Sequence, residues 1–121
     1  MKKIYTWAAQ PANRSLTVDD LKKAKGKKKF TQVTANTLDE AEAAEKAGFD
    51  MIICNAFNVK QVREGSKNLF LTAALVLNKF VTSDDIMRGA FEALENGADA
   101  VMTPRSMKIV EMLANEDVPV M

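Results

Sequence analysis

The feature that most constrains the fold is a short pattern that occurs twice: a helix end, a glycine, an aspartate and an apolar strand. It is KAGFDMII at residues 46–53 and ENGADAVM at residues 95–102. A glycine directly after a helical stretch is typical of a helix C-terminus. A short apolar run is typical of a strand covered on both faces. The repeated unit therefore predicts alternating strands and helices that build a parallel sheet.

Five segments have the character of parallel strands: 30–35, 51–54, 69–77, 100–103 and 118–121. The connection between the second and third is short and leaves room for one helix around 59–64. Residues 1–16 contain Pro11 and Asn13, and we expect them to be irregular. The other helices are predicted from candidate N-caps, which are Thr17 before 18–25, Thr37 before 38–47, Ser83 before 84–96 and Ser106 before 107–114. Thr37 with Glu40 forms a capping box, and Gly26, Gly48 and Gly97 end their helices.

Five parallel strands fit two α/β architectures. One is a partial (β/α)8 TIM-type barrel, whose complete form has typically about 250 residues. The other is a flavodoxin-like doubly wound sheet. A receiver-like domain of that second kind needs an aspartate at the end of the third strand, where this chain has Leu77 and Asn78. The apolar segment 118–121 favours the barrel, so residues 1–121 are predicted to be a single incomplete βα-barrel domain, its N-terminal half.

Composition excludes several classes of function. The formal net charge is +1, so no overall field attracts nucleic acid or a membrane surface. The chain has no His, which removes His-based triads and the commonest zinc ligand. The single cysteine, Cys54, lies in an apolar run, and we expect a buried structural thiol in a reducing, cytoplasmic environment. The N-terminus lacks the apolar core of a signal peptide.

Two charged clusters have both a structural and a functional interpretation. Six lysines lie within residues 22–29 with no aromatic residue between them, which predicts a solvated helix end rather than a phosphate-binding or nucleic-acid-binding site. Asp84 and Asp85 could bind a metal, but acidic residues in a first helical turn are commonly there because they stabilise the helix dipole. We therefore expect neither a nucleic-acid nor a membrane partner.

Three blocks of the sequence resemble the ketopantoate hydroxymethyltransferases (3-methyl-2-oxobutanoate hydroxymethyltransferases). Residues 27–54, KKKFTQVTANTLDEAEAAEKAGFDMIIC, resemble the first βαβ unit of that family. Residues 68–106 resemble its third and fourth strands, and residues 109–121 resemble the stretch leading into the fifth strand. The resemblance implies a barrel enzyme of pantothenate biosynthesis. Such an enzyme transfers one carbon from methylenetetrahydrofolate to 2-oxoisovalerate, with magnesium stabilising the enolate.

The positions that match the family's metal ligands hold no acidic residue. The aspartate of a G-D-S turn matches Ala56, the aspartate of an A-D-L-P-F run matches Ala74, and the glutamate of K-[IL]-E-G-G matches Pro104. We therefore expect no metal, no cofactor and no catalytic residue in this chain, although the family uses magnesium and methylenetetrahydrofolate. The family's general base lies in its C-terminal half. These 121 residues alone are expected to be inactive, and whether the protein is an enzyme stays open.

Polar residues remain at the predicted strand ends, and they are the candidate substrate-binding residues: Asn36, Asn55, Asn78, Thr103 and Arg105, with Asn58 beside them. They could bind a neutral or anionic small molecule, and Arg105 with the helix start at Ser106 favours a carboxylate, such as that of a 2-oxo acid, or a phosphate. Alternatively, these residues only form turns and caps. The predicted function is hydroxymethyltransferase-like but inactive, or a non-catalytic small-molecule-binding or assembly module. A half-barrel has unpaired strand edges, which predicts a homo-oligomer.

Overall fold

A computed structural model describes all 121 residues as an N-terminal hairpin followed by four parallel strands that alternate with helices. The elements are β1 (Lys2–Tyr5), β2 (Pro11–Arg14), α1 (Val18–Ala24), β3 (Gln32–Thr34), α2 (Leu38–Lys46), β4 (Met51–Asn55), α3 (Val59–Gly65), β5 (Phe70–Ala74), α4 (Ser83–Glu95), β6 (Ala100–Met102) and α5 (Met107–Asn115). A short 3₁₀ turn over Ala56–Asn58 joins β4 to α3. None of these helices has the length and apolar character needed to cross a bilayer.

The order of the parallel strands follows the chain, β3-β4-β5-β6. The predicted α/β fold with a parallel sheet is confirmed, and the sheet lacks the reversal of strand order that defines a doubly wound fold. Beyond β6, Val120 forms a single parallel bridge with Val101. The Val101 N–H donates to the Pro119 carbonyl and the Met121 N–H donates to the Val101 carbonyl, both at 2.9 Å. Residues 118–121 therefore occupy a fifth position in the sheet, as predicted, but with minimal pairing.

The two faces of the sheet are covered differently. Side chains that alternate along the strands, such as Ile52, Leu71 and Val101, join the larger core together with residues of α2 to α5. The neighbouring positions Met51, Phe70 and Ala100 point to the opposite face and pack against Val18, Leu21 and other residues of the α1 region. Helices α2 to α5 thus cover one face, and the short α1 covers only the amino-terminal part of the other.

The repeated glycine has a defined conformational role. Gly48 and Gly97 follow α2 and α4 with φ of 82° and 110°, in the left-handed region that costs glycine least. At each site, two backbone bonds close the helix end: the glycine N–H donates to the carbonyl three residues back, and the next N–H donates to the carbonyl five residues back. Asp117 adopts the same conformation after α5, with φ of 62°. The sequence pattern therefore recurs a third time in structure, without its glycine.

Several local predictions are corrected. Residues 1–16 are not irregular, because Lys2–Tyr5 and Pro11–Arg14 pair as an antiparallel hairpin. The predicted strand 69–77 ends at Ala74, and Leu77 is exposed. The N-cap of α4 is Thr82 rather than Ser83, with a reciprocal capping box to Asp85. Thr37 caps α2, but only its side-chain bond from the Glu40 N–H forms. The short helix predicted at 59–64 is confirmed as α3.

Candidate functional site

The candidate residues cluster at the carboxyl ends of the parallel strands, which we call the carboxyl-end rim: Asn36, Asn55, Asn58, Asn78, Thr103 and Arg105. Asn36 lies two residues beyond β3, Asn55 ends β4, and Thr103 directly follows β6. In βα-barrel enzymes the active site lies at this end of the strands. The parallel sheet therefore brings most of the sequence candidates to one edge.

An amide cluster connects the ends of β3 and β4. The Asn36 side-chain Oδ1 accepts a hydrogen bond from the Asn55 N–H at 2.8 Å and another from Asn58 Nδ2 at 3.1 Å. The Asn58 Oδ1 in turn accepts from Gln61 Nε2 at 3.1 Å. The Asn36 Nδ2 and the Asn55 side-chain amide have no partner within the protein. The cluster is held in place by some of its hydrogen-bonding groups and has others free for a ligand.

A second polar cluster lies beyond β6. Thr103 is buried, and its Oγ1 accepts a hydrogen bond from the Arg105 N–H at 3.3 Å. The exposed Arg105 side chain donates from Nη1 to the Val81 carbonyl, in the loop after β5, at 2.8 Å. That bond leaves the Arg105 Nε and Nη2 donors without a protein partner. Ser106 is the N-cap of α5 but makes no side-chain cap bond, so the N–H groups of Met107 and Lys108 also stay free.

Asn78 does not join either cluster: it is exposed, in the turn after β5, and its side chain makes no hydrogen bond. Exposed apolar side chains accompany the rim instead. One or two follow the end of each parallel strand, and they are Leu38, Phe57, Leu77, Val81 and Met107. The carboxyl end of the sheet therefore presents hydrogen-bond donors and apolar surface together.

The rim does not fit the magnesium ion that the family resemblance implies. Ala56 and Ala74 are buried at the ends of β4 and β5, and Pro104 is exposed after β6. None of these side chains has an oxygen, and a hard dication needs oxygen ligands, of which carboxylates are the strongest. No three His, Cys, Asp or Glu side chains are grouped so that they could hold a metal ion. The protein–metal contacts of the family cannot form from these positions.

At the opposite end of the strands lies an ionic cluster, the arginine clamp, made of Arg14, Arg63 and Asp99. Arg14 Nε lies 2.9 Å and 3.0 Å from the two Asp99 carboxylate oxygens, and Arg63 Nη2 lies 2.9 Å from Asp99 Oδ2. The Leu71 N–H donates to the same Oδ2 at 3.0 Å. The side chains of Arg14, Arg63 and Asp99 are only 3%, 13% and 11% exposed. One carboxylate thus compensates two largely buried guanidinium groups.

The clamp is structural, because its donors are used within the protein. Arg63 donates all five of its N–H groups: to the carbonyls of Ser66 and Leu69, twice to that of Gly97, and to Asp99. Burial lowers the pKa of Arg63 to about 10, an effect that the nearby Asp99 charge opposes and that of Arg14 reinforces. A polar cleft of about 510 Å³ runs past the clamp. Since the Arg63 donors are already bonded, we assign no ligand to this cleft.

Sequence reasoning missed the clamp, although the repeated aspartate was a signal for it. Asp50, directly before β4, accepts a hydrogen bond at Oδ2 from the Thr31 N–H at 2.7 Å. Asp99, directly before β6, accepts from the Leu71 N–H of the adjacent strand. In both repeats the aspartate therefore ties the start of its strand to the start of the preceding strand in the sheet. Only the second repeat adds arginines, and Arg14 lies 85 residues away from Asp99.

Cys54 is a buried thiol, as predicted, with 1% of its surface exposed. It lies on the helix-covered face of β4, within the larger core. Burial raises the pKa of Cys54 to about 12, and the Arg63 charge offsets this only in part. A thiol with so high a pKa carries almost no thiolate near neutral pH and is a poor nucleophile.

The comparisons with known proteins support the fold. No protein family matches the chain by its sequence profile, and no curated protein matches it by sequence. Among solved structures the chain is similar to "QR15, an Aldolase", with a TM-score of 0.52 and 15% sequence identity. The match covers 74% of this chain and 44% of that structure, so this chain spans less than half of the aldolase's length. At this identity the likeness indicates a coarse TIM-type α/β fold and nothing about activity.

Proposed function

We propose that this chain is a module of hydroxymethyltransferase-like ancestry, arranged as part of a (β/α)8 barrel, that binds a small carboxylate such as a 2-oxo acid without a divalent metal. In this proposal it does not itself transfer a hydroxymethyl group. The free thiol and the composition further favour a cytoplasmic location. The observation that carries the proposal is the makeup of the rim, which combines free amide donors and one arginine with no carboxylate among its residues.

The spacing of the two polar clusters suits a small ligand. Neighbouring parallel strands lie about 4.8 Å apart, so the ends of β4 and β6 are separated by about 10 Å, with the end of β5 between them. Ala74 ends β5 and carries only a methyl group, which leaves room above it. Side chains that reach inward from Asn55 and Arg105 would leave a gap the size of a short-chain acid. The ligand would lie over Ala74.

Charge and polarity at the rim favour a carboxylate over a cation or a sugar. The free Arg105 donors and the uncapped N-terminus of α5 both favour an anionic oxygen. The exposed Leu77 and Val81 side chains follow β5 and could contact the alkyl part of the ligand. A branched 2-oxo acid such as 2-oxoisovalerate combines these two chemical features. The resemblance to the hydroxymethyltransferases implies the same class of ligand.

Titration calorimetry with 2-oxoisovalerate, in the presence and absence of Mg²⁺, tests this proposal. We expect binding whose affinity does not change with Mg²⁺, because none of the rim residues carries a carboxylate for the metal. Replacing Arg105 with Gln should weaken binding about tenfold or more, since a charge-assisted hydrogen bond contributes about 1.5–3 kcal/mol. Lys108→Gln is the matched control: it removes a nearby exposed charge from α5 and should leave the affinity within about twofold.

The outcome also separates ligand binding from retained catalysis. No heat from 2-oxoisovalerate with or without Mg²⁺ would remove the binding role. An affinity that requires Mg²⁺ would show that the metal binds after all. Exchange of the C3 proton of the ligand, followed by NMR, would indicate an enolisation activity that the proposal excludes.

An assembly role on the same fold is the second candidate function. The observation that favours it is the pair of incompletely bonded sheet edges, β3 on one side and residues 118–121 on the other. An exposed strand edge offers unpaired N–H and C=O groups to another strand. A stable monomer in analytical ultracentrifugation at micromolar concentration would count against this role.

A further inference from the structure

The two sheet edges present backbone groups that are complementary to each other. On β3, the Thr31 carbonyl and the Ala35 N–H bond to β4, so the groups of Gln32 and Thr34 point away from the sheet. In segment 118–121, the Pro119 carbonyl and the Met121 N–H bond to Val101, so the groups of Val120 point outward. Each edge therefore carries free donors and acceptors with the period of two that a parallel ladder requires.

These groups define one register. The Val120 N–H can donate to the Gln32 carbonyl, and the Thr34 N–H can donate to the Val120 carbonyl. The Gln32 N–H can then donate to the Val118 carbonyl, so Val120 lies opposite Val33. Both of these valines pack on the helix-covered face. This register keeps the side chains of both strands on their own faces of the sheet, whereas a shift by one residue would move them to the opposite face.

A groove lies along the edge formed by residues 118–121. It has a volume of about 670 Å³ and is mostly apolar. On one side it is lined by Val18 and Leu21 of α1, and on the other by Val110 and Ala114 of α5. Its floor includes Val118, Val120 and Met121. An added strand with apolar neighbours on both faces would fill such a groove.

Charge complementarity indicates which strand fills it. In the register above, the start of β3 lies beside the start of segment 118–121, which brings Lys29 near Glu116 and Asp117 at the end of α5. Lys27, Lys28 and Lys29 directly precede the β3 edge, and all three are exposed. Glu116 and Asp117 directly precede the other edge and are also exposed. Because parallel strands begin at the same end, the basic cluster of one edge would meet the acidic pair of the other.

We propose that a second copy of this chain docks edge to edge, with β3 of each copy pairing in parallel with residues 118–121 of the other. The contact joins two different surfaces of the chain, and two such seams related by a two-fold axis close a dimer. Closure satisfies both edges and covers both grooves. This inference gives the assembly role a defined surface and does not depend on ligand binding at the rim.

A charge-exchange experiment on exposed side chains tests the pairing. Sedimentation equilibrium should show a dimer for the unmodified protein. Lys29→Glu and Glu116→Lys should each weaken the dimer about tenfold, because every dimer has two seams and each loses an ion pair and gains a repulsion. The double variant Lys29→Glu/Glu116→Lys should recover most of the affinity. A double variant as weak as the single variants would overturn the register.

A backbone experiment tests the edge directly. Thr34→Pro removes an outward N–H that bonds to nothing within the protein, whereas Thr34→Ala removes the same side chain and keeps that N–H. We expect Thr34→Pro to lower dimer affinity about a hundredfold and Thr34→Ala to change it little. Both variants should bind 2-oxoisovalerate as the unmodified chain does, which separates this inference from the rim. A monomeric unmodified protein, open higher assemblies, or a Thr34→Pro dimer of normal affinity would overturn the proposal. If Thr34→Pro does not fold, the charge-exchange variants of Lys29 and Glu116 test the proposal instead.

Discussion

The polar side chains at the two ends of the parallel strands differ in how completely they are hydrogen-bonded within the protein. At the amino-terminal end, Arg14, Arg63 and Asp99 are largely buried, and every Arg63 donor is bonded. At the carboxyl end, the side-chain amides of Asn36 and Asn55 keep donors that no protein group uses. The comparison teaches that polar groups which saturate one another stabilise the fold. Polar groups that are positioned but unsaturated are the ones available to a ligand.

The largest expected effect comes from disrupting the arginine clamp at the amino-terminal end of the strands. Replacing Asp99 with Asn removes the carboxylate that compensates two buried guanidinium groups, and we expect the free energy of unfolding to fall by about 3–5 kcal/mol. Chemical denaturation measures this loss. The control is Asp84→Asn, at an exposed first-turn position without an ion pair, which should cost about 0.5 kcal/mol or less. Similar small losses for both variants would show that the clamp contributes little.

A smaller effect distinguishes two helix starts at the carboxyl end. The Thr82 side chain accepts a hydrogen bond from the Asp85 N–H at 3.1 Å, whereas Ser106 makes no side-chain cap bond to α5. Thr82→Ala should lower the free energy of unfolding by about 1 kcal/mol, and Ser106→Ala should change it by about 0.5 kcal/mol or less. Thermal unfolding compares the two. Equal losses would mean that Ser106 caps α5 and that its N-terminus is not free for a ligand.

The smallest expected effect concerns Asp50, the aspartate of the first repeat, and its contribution to the stability of the fold at acidic pH. Hydrogen bonds from the Thr31 backbone and side chain lower the pKa of Asp50 from its ordinary value of 3.8. A depressed folded-state pKa gives stability that is present above 3.8 and lost as the pH falls through the lowered value. Asp50→Asn should therefore flatten the fall in denaturation midpoint below about pH 4. The control is Asp39→Asn, at an exposed position, which should leave the pH dependence of the denaturation midpoint unchanged. If Asp50→Asn also leaves this pH dependence unchanged below about pH 4, the prediction is wrong.

The sequence predicted the alternation of strands and helices because that alternation depends on local patterns. Gly48 and Gly97 mark helix ends, and the apolar runs after them are strands β4 and β6. The hairpin over residues 1–16 was missed, since Lys2–Tyr5 and Pro11–Arg14 have little apolar alternation and depend on pairing with each other. Ser83 was predicted as the cap of α4, whereas the structure uses the preceding Thr82, because the sequence does not show which of two adjacent capping residues the helix begins after.

The candidate site was predicted only in part. Parallel strands place their carboxyl ends together, so Asn36, Asn55 and Thr103 could be assigned to one edge in advance. The hydrogen bonds from Asn55 and Asn58 to Asn36 depend on the turn after β4, which no residue pattern specified. Asn78 was included on its position alone and lies apart from both clusters. Whether any of these residues binds a 2-oxo acid stays a prediction.

What the sequence determined by itself is the βα repeat, its parallel strands and the lack of acidic side chains at Ala56, Ala74 and Pro104. These properties are set by residue type and by spacing along the chain. Only the tertiary structure decided that Arg14 would meet Asp99, and that β3 would lie at an edge of the sheet. Such contacts join distant parts of the chain, and their formation depends on how the strands are ordered in the sheet rather than on any local preference.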